Sequence, residues 1–383
     1  MNFRSLRSPL LPGLVLLCLC LGGCQPPDPP KTLTEPSPAG EEEGRLTLNN
    51  ATLEQADSAG QPLWKLAVEK ALYSKDQKIA QLQKVKGNIY QDGKIVLQVS
   101  ADRGEVRKGG EEMYLKDNIV AIDPRNQTVI RSQEVEWRPK EGRLIVRKDL
   151  QGSNAKLDAT ALEGHYNTKE QRLDLIGNVV ATAKQSQVQL KTDSLIWEVG
   201  KEKLIGEQPM KFDRYKDKTK VVIDRVTAGK GQVDLKTHLA TLENNLQYYS
   251  LEPAVTINGE SGTWNYQDRI IKSEKPVQLL QRQDNVLITG NRATVNLTDN
   301  TTYLENGAKG INQKTGAKLY SEKLLWKMRD KIVEAEGNVI YEQLQPKFNL
   351  TGDKAVGTLN DDNVVVTSQS SDRVVTEIFP QKQ

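Results

Sequence analysis

The chain has 383 residues, with 53 Lys and Arg against 50 Asp and Glu. The two signs of charge are interspersed, so the sequence has no basic patch of the kind nucleic acid requires. Two histidines and three cysteines leave the body of the chain without the ligand sets of zinc sites or a disulfide framework.

Arg4 and Arg7 make a basic start, and Leu10 to Leu21 follow as a short apolar run that ends in Leu21-Gly22-Gly23-Cys24. The run is too short to cross a hydrocarbon layer of about 30 Å, so residues 1–23 are expected to be an export signal. Small residues directly before a cysteine resemble the bacterial lipobox, in which Cys24 becomes the lipid-bearing first residue of the mature protein. The alternative is an ordinary signal peptide that happens to contain a cysteine. Cys18, Cys20 and Cys24 are all the cysteines there are, so the mature body carries no thiol chemistry beyond that anchor. Removing Arg4 and Arg7 from 53 basic residues leaves 51 against 50 acidic ones, an essentially neutral body. Residues 24–44, rich in Pro and Glu and poor in large apolar side chains, are expected to be a disordered tether.

From about residue 45 a segment resembling Gly-Asn-Val recurs roughly every 31 residues. Its clearest copies are Gly87-Asn88-Ile89, Gly177-Asn178-Val179 and Gly337-Asn338-Val339. Weaker ones centre on Asp117, Lys148, Gln208, Asn244, Lys275 and Asn306. A regular spacing in this range means stacked supersecondary units, none able to bury its apolar face alone. Each centre lies within an alternating apolar/polar run, which predicts a half-buried antiparallel strand. A second predicted strand precedes each centre and is marked by Tyr73, Val106, Trp137, Tyr166, Trp197, Val233, Trp264, Val295 or Trp326. Turn chemistry at 75–78, 139–142 and 298–301 separates the strands. A degenerate tenth unit around Val356–Val366 is expected to close the array. The one irregular spacing, 36 residues between Gln208 and Asn244, marks the expected meeting of two halves, 45–212 and 213–370, ahead of a tail at 371–383. Ten units with about ten strands per sheet predict a stack of roughly 45–50 Å at about 4.8 Å per strand.

Side chains alternate across a strand, so register alone assigns one continuous apolar face. Its candidate lining is Ile89, Leu97, Val99, Leu115, Ile119, Leu173, Leu175, Val179, Met210, Phe212, Leu246, Val277, Leu279 and Val339. Such a face either lines an open slot for acyl chains or packs on itself as a dry core; both remain open from the sequence.

Catalytic signals are nearly absent. His165 lies in a predicted strand and His238 in a turn, without His or Cys neighbours at metal-ligand spacing. No Gly-x-Ser-x-Gly elbow, P-loop or His-Glu-x-x-His occurs, and Ala228-Gly229-Lys230-Gly231 reads as a hairpin turn. Asp102, Asp158 and Asp193 recur with the repeat, which favours a structural role over a catalytic carboxylate pair. No enzyme and no cofactor are expected.

The stretches Gln61-Pro62-Leu63-Trp64-Lys65-Leu66, Ala71-Leu72-Tyr73 and Ser100-Ala101-Asp102-Arg103-Gly104 resemble the start of LptC, within about 61–212. The Gly-Asn-Val units resemble the wider family that includes LptA and the N-terminal part of LptD, over about 45–370. The resemblance implies an all-β, elongated, open twisted β-jelly-roll in which two facing antiparallel sheets enclose an apolar slot. It further implies passive transfer of lipopolysaccharide, acyl chains in the slot and sugars in solvent, driven by an inner-membrane ABC transporter of permeases and ATPase. An LptA-like partner would receive the lipid by edge-strand addition, with the Thr47–Val68 end towards the transporter and the Val356–Val366 end towards that partner. Two departures stand out: a lipobox replaces the usual membrane-spanning helix, and the array is about twice the usual length, as in LptC-like forms of cyanobacterial type. The expected location is the periplasmic face of the inner membrane, through the lipid on Cys24. A structural or adhesive β-solenoid lipoprotein with a dry core is the alternative, and a β-helix enzyme such as a polysaccharide lyase is the weakest reading.

Overall fold

The computed structural model of the protein describes residues 46–216, 220–358, 363–368 and 374–378. The expected export signal, Cys24 and the tether lie outside the described residues. Two units are distinguished, Met1–Glu43 and Gly44–Gln383, and the described residues belong to the second. Its described elements are 28 antiparallel strands and three short 3-10 turns.

The repeat centre makes the corner of the fold. Strand Arg172–Ala183 pairs with Val188–Glu198, but Ile176 faces Ser194 while Val179 faces Thr192. Two residues, Gly177 and Asn178, therefore oppose the single Asp193, and both are left-handed with φ of 79° and 49°. Glycine tolerates that conformation freely and asparagine better than most side chains, so a Gly-Asn pair bends the strand from one sheet into another. The same paired left-handed geometry recurs at Asp117-Asn118, Asn244-Asn245, Asn306-Gly307 and Gly337-Asn338. Inserting two residues preserves parity, which keeps Leu173 and Leu175 on the same face as Val179 and Ala181. The partner strand has no such insertion, and its buried positions slip by one, from Leu190 and Thr192 to Leu195 and Trp197.

Gly87-Asn88-Ile89, one of the clearest copies in the sequence, departs from this pattern. The left-handed residue there is Lys84, at φ 52°, and Gly87 lies in a continuous strand, Ile79–Gln91. A Cβ at Gly87 would collide with Lys65 O and lie 2.8 Å from Leu66 Cα. Close approach of two backbones, not backbone conformation, requires this glycine.

Because the long strands bend at their middles, each unit gives two strands to each sheet. We call the half that carries Trp137, Trp197, Trp264 and Trp326 the tryptophan sheet and the other the facing sheet. Hydrogen-bonded pairing runs unbroken through 21 strand segments in each, from 47–49 to 363–367 in the tryptophan sheet and from 51–56 to 375–378 in the facing one. The expected ten strands per sheet are therefore corrected to about twice that number. At about 4.8 Å per strand the ladder measures about 95 Å before twist shortens it.

Two local expectations also change. Ala228-Gly229-Lys230-Gly231 is a corner rather than a hairpin: Val222–Ala228 belongs to the facing sheet and Lys230–Asp234 to the tryptophan sheet. The long spacing between Gln208 and Asn244 is accommodated by the connection between Met210–Tyr215 and Val222–Ala228. The ladder and the apolar core pass it without interruption, so the division expected at 212/213 falls inside continuous pairing.

Candidate functional site between the two sheets

All fourteen residues assigned by register face inward and are buried. Thirteen of them, from Ile89 to Leu279, belong to one apolar cluster that extends from Trp64 to Val333. Val339 lies in a smaller group with Ala335 and Ala355, against the partly buried Leu319, Val364 and Val366. The face is continuous as the register predicts. In this structure it is closed, with the two sheets packed on each other.

Tryptophans bridge the gap. Trp197 stands so close to Gly152 on the facing sheet that a Cβ there would lie 3.4 Å from its ring. Trp264 makes edge contacts with Phe212 and Tyr248 of the facing sheet, ring centres 5.9 Å apart in both cases. The indole nitrogens of Trp137, Trp197, Trp264 and Trp326 are buried and have no hydrogen-bond partner. A buried donor without a partner costs roughly 1–3 kcal/mol. Trp64 differs: its N–H donates to Gln55 Oε1 at 2.8 Å and Gly110 O at 3.2 Å.

The free ends of the two sheets form a mouth opposite the corner, and this mouth is latched. Two residues beyond each of the last six markers, Thr168, Val199, Leu235, Tyr266, Leu297 and Met328 are buried in the outer turns of the tryptophan sheet. Three residues further on, Gln171, Glu202, His238, Arg269, Asn300 and Lys331 take left-handed backbone, and four of these six reach across. Asn126 Nδ2 donates to Gln171 Oε1 at 2.9 Å, and Lys156 Nζ to Glu202 Oε2 at 2.6 Å. Arg269 donates to Asp224 with Nε at 3.0 Å and Nη2 at 2.8 Å, and Lys331 Nζ to Asp284 Oδ1 at 3.0 Å. Nearer the start of the array, Gln55 Nε2 donates to Gly109 O at 3.1 Å, while Arg125 Nη2 donates to Thr168 O at 2.7 Å. Tyr166 Oη donates to Asp123 Oδ2 at 2.6 Å. Burial, together with the Asp123 charge, pushes the Tyr166 hydroxyl well above its ordinary range, so it stays a donor.

The latch with the most hydrogen bonds centres on a fully buried carboxylate. Asp224 is 0% exposed and also accepts from Arg214 Nε at 2.6 Å. Burial pushes its carboxyl pKa up, but the hydrogen bonds and charges of Arg269 and Arg214 outweigh that and hold it below the ordinary value. Arg269 additionally donates to Ser250 Oγ at 3.2 Å and Glu252 O at 2.8 Å.

Past Lys331 a cleft of about 80 Å³ lies between the sheets. Val286, Ile288, Ile311 and Leu319 line one wall, and Leu324, Val333, Ala355 and Val364 line the other. None of the fourteen register-assigned residues borders it. Sequence reasoning missed this cleft and the latches; the only signal was that Gln171, Glu202, Arg269 and Lys331 each lie five residues beyond a marker. Near the cleft Leu344, Val356, Val365 and Val375 are exposed, and Asn363–Thr367 and Val375–Ile378 pair on one side only. Thr47–Ala56 is the corresponding edge at the other end.

His165 is half-buried in strand Glu163–Asn167, and His238 packs edge-on against Tyr266 with ring centres 5.4 Å apart. Asp102 sits at a corner, where Lys84 Nζ and Asn118 Nδ2 donate to it at 2.9 and 2.6 Å. Among the described residues no helix is long and apolar enough to cross a membrane.

The family described as lipopolysaccharide-assembly, LptC-related, matches the chain over residues 14–145 and 144–248. No curated protein matches it. Among solved structures it is similar to LptH, the LptA-homologous periplasmic component of the lipopolysaccharide transport device from Pseudomonas aeruginosa. The identity is 12%, over 38% of this chain and 79% of that one, with a TM-score of 0.20, a likeness that carries no argument about function.

Proposed function

The chain belongs to the LptC-related lipopolysaccharide-assembly family, a family of periplasmic lipopolysaccharide transport, and on that premise we propose that it is a bridge segment which holds acyl chains between its two sheets. The observation that supports this reading is the inward apolar face, continuous from Trp64 to Val333 between the two sheets. A lipid held there keeps its chains dry while its sugars stay outside the mouth. The lipid attached to Cys24 holds the array at the periplasmic face of the inner membrane. Thr47–Ala56 takes lipid from the ABC transporter, and the edge at Asn363–Thr367 and Val375–Ile378 extends into an LptA-like partner by strand addition.

A photo-crosslinking residue at Leu175, which is buried and inward, captures lipopolysaccharide in cells. One at Asp174, which points outward and accepts from Arg172 Nε at 2.7 Å, does not. Equal capture at the two sites would reject the slot. The packed state of the core favours one other reading, a structural lipoprotein with no lipid ligand, and capture at neither site decides for it.

A further inference from the structure

We propose that the indole N–H groups of Trp137, Trp197, Trp264 and Trp326 are a row of hydrogen-bond donors for the carbonyl oxygens of acyl esters and amides on the bound lipid. This rests on the reading that acyl chains enter between the sheets.

Three observations carry it. All four nitrogens are buried and unpartnered, while the fifth tryptophan, Trp64, is satisfied by Gln55 and Gly110. The chain thus pairs an indole where the indole is structural. In the intervening units the equivalent position holds Val233 or Val295, or Tyr166 with its hydroxyl bonded to Asp123. Packing at this position is met without an unpaired donor, so the core does not require indole there. Finally, the four tryptophans recur every fourth strand of their sheet, about 19 Å apart, close to the length of one extended fatty-acyl chain. Two of the indoles span the gap that a chain must enter, Trp197 at Gly152 and Trp264 at Phe212 and Tyr248. When the sheets part to admit a chain, the indole is the group displaced, and its N–H meets the carbonyl that joins the chain to the headgroup. The intervening methylenes offer no acceptor, so spaced donors suit esters and amides better than free hydrocarbon.

The test uses the full chain and two probes, a lipid A glycolipid and its ether-linked analogue without acyl carbonyls. Benzothienylalanine, which keeps the shape of tryptophan and puts sulfur in place of N–H, is introduced singly at 197 and at 264. Each replacement is expected to weaken lipid A binding about five- to tenfold, the scale of one hydrogen bond, and to leave binding of the ether analogue unchanged. Equal binding of lipid A by the wild-type and replaced chains overturns the donor role while leaving the slot intact. No binding of either probe by the wild type overturns the slot reading and this proposal together. Ultraviolet resonance Raman of the unsubstituted protein gives an independent readout. The indole band that reports N–H hydrogen bonding shifts to the bonded position on adding lipid A, and an unmoved band overturns the proposal even where a replaced chain fails to fold.

Discussion

Removing Arg269 tests whether the mouth is held by discrete latches. Arg269→Ala deletes two of the three guanidinium hydrogen bonds to Asp224, together with those to Ser250 Oγ and Glu252 O, and leaves only Arg214 on a carboxylate with no exposure. Breaking a buried ion pair by removing one partner costs about 3–5 kcal/mol. In a repeat array the loss stays near the lesion, because each unit contacts only its neighbours. The assay is therefore hydrogen exchange by mass spectrometry. Peptides covering 222–228, 246–250 and 266–270 should exchange at least about a hundredfold faster, given 1.4 kcal/mol per factor of ten, while 94–107 stays as it was. The pH dependence has a definite sign. Asp224 has a folded pKa below its unfolded value of about 3.9, so its contribution is present above that value and is lost as pH falls through the folded pKa. Acid should thus lower the protection of 222–228, measured against the intrinsic exchange rate at each pH, in the wild type, and Arg269→Ala should have less left to lose. Replacing Asp224, Arg269 and Arg214 together with leucine should recover part of the loss, since no charge of this cluster then remains buried. Uniform acceleration along the whole chain, or none at 222–228, would refute the latch.

Other expectations follow from the same geometry. Gly87→Ala should cost more than about 3 kcal/mol in urea unfolding, because its Cβ collides with Lys65 O. Gly93→Ala, with open space around it but φ at 71°, should cost only about 1–2 kcal/mol, and equal costs would contradict the close-approach argument. Gly152→Ala places a methyl 3.2 Å from Leu173 and 3.4 Å from Trp197; a loss of about 1–3 kcal/mol and a shifted tryptophan emission are expected. Deleting 356–367 should abolish crosslinking to the next protein of the bridge, and a retained crosslink would place that contact elsewhere.

Much of the fold was legible because its two periods are simple. Alternation gave the inward face, and all fourteen assigned side chains are buried. The strand count was not legible, since nothing in the residues around Gly177 says that one strand serves two sheets until the left-handed pair is seen opposite Asp193. Gly87 misled for a related reason: its sequence matches the corner motif, but a neighbouring backbone, invisible in the sequence, decides its role. The latches went unread because Gln171, Glu202, Arg269 and Lys331 look like ordinary polar turn residues. Their partners, Asn126, Lys156, Asp224 and Asp284, lie 45 to 47 residues away, a separation that periodicity along one strand does not reveal.

A latched mouth over a packed core is compatible with lipid passage if the lipid can meet the cost of opening. Burying one methylene contributes about 0.8 kcal/mol, so a chain of about ten methylenes brings roughly 8 kcal/mol, more than the 3–5 kcal/mol of the Asp224 latch. Opening at one unit should leave distant ones shut, because the latches are separate bonds and each unit contacts only its neighbours. The C-terminal cleft lies past Lys331, the last of the latches named above. Entry there would meet the smallest barrier, and entry at Asp224 the largest. Crosslinkers placed at Leu319 and at Val226 turn this into a measurement: at limiting lipid, capture at Leu319 should exceed capture at Val226, and Arg269→Ala should narrow the difference. A difference unaffected by Arg269 would mean that the core, and not the mouth, sets the barrier.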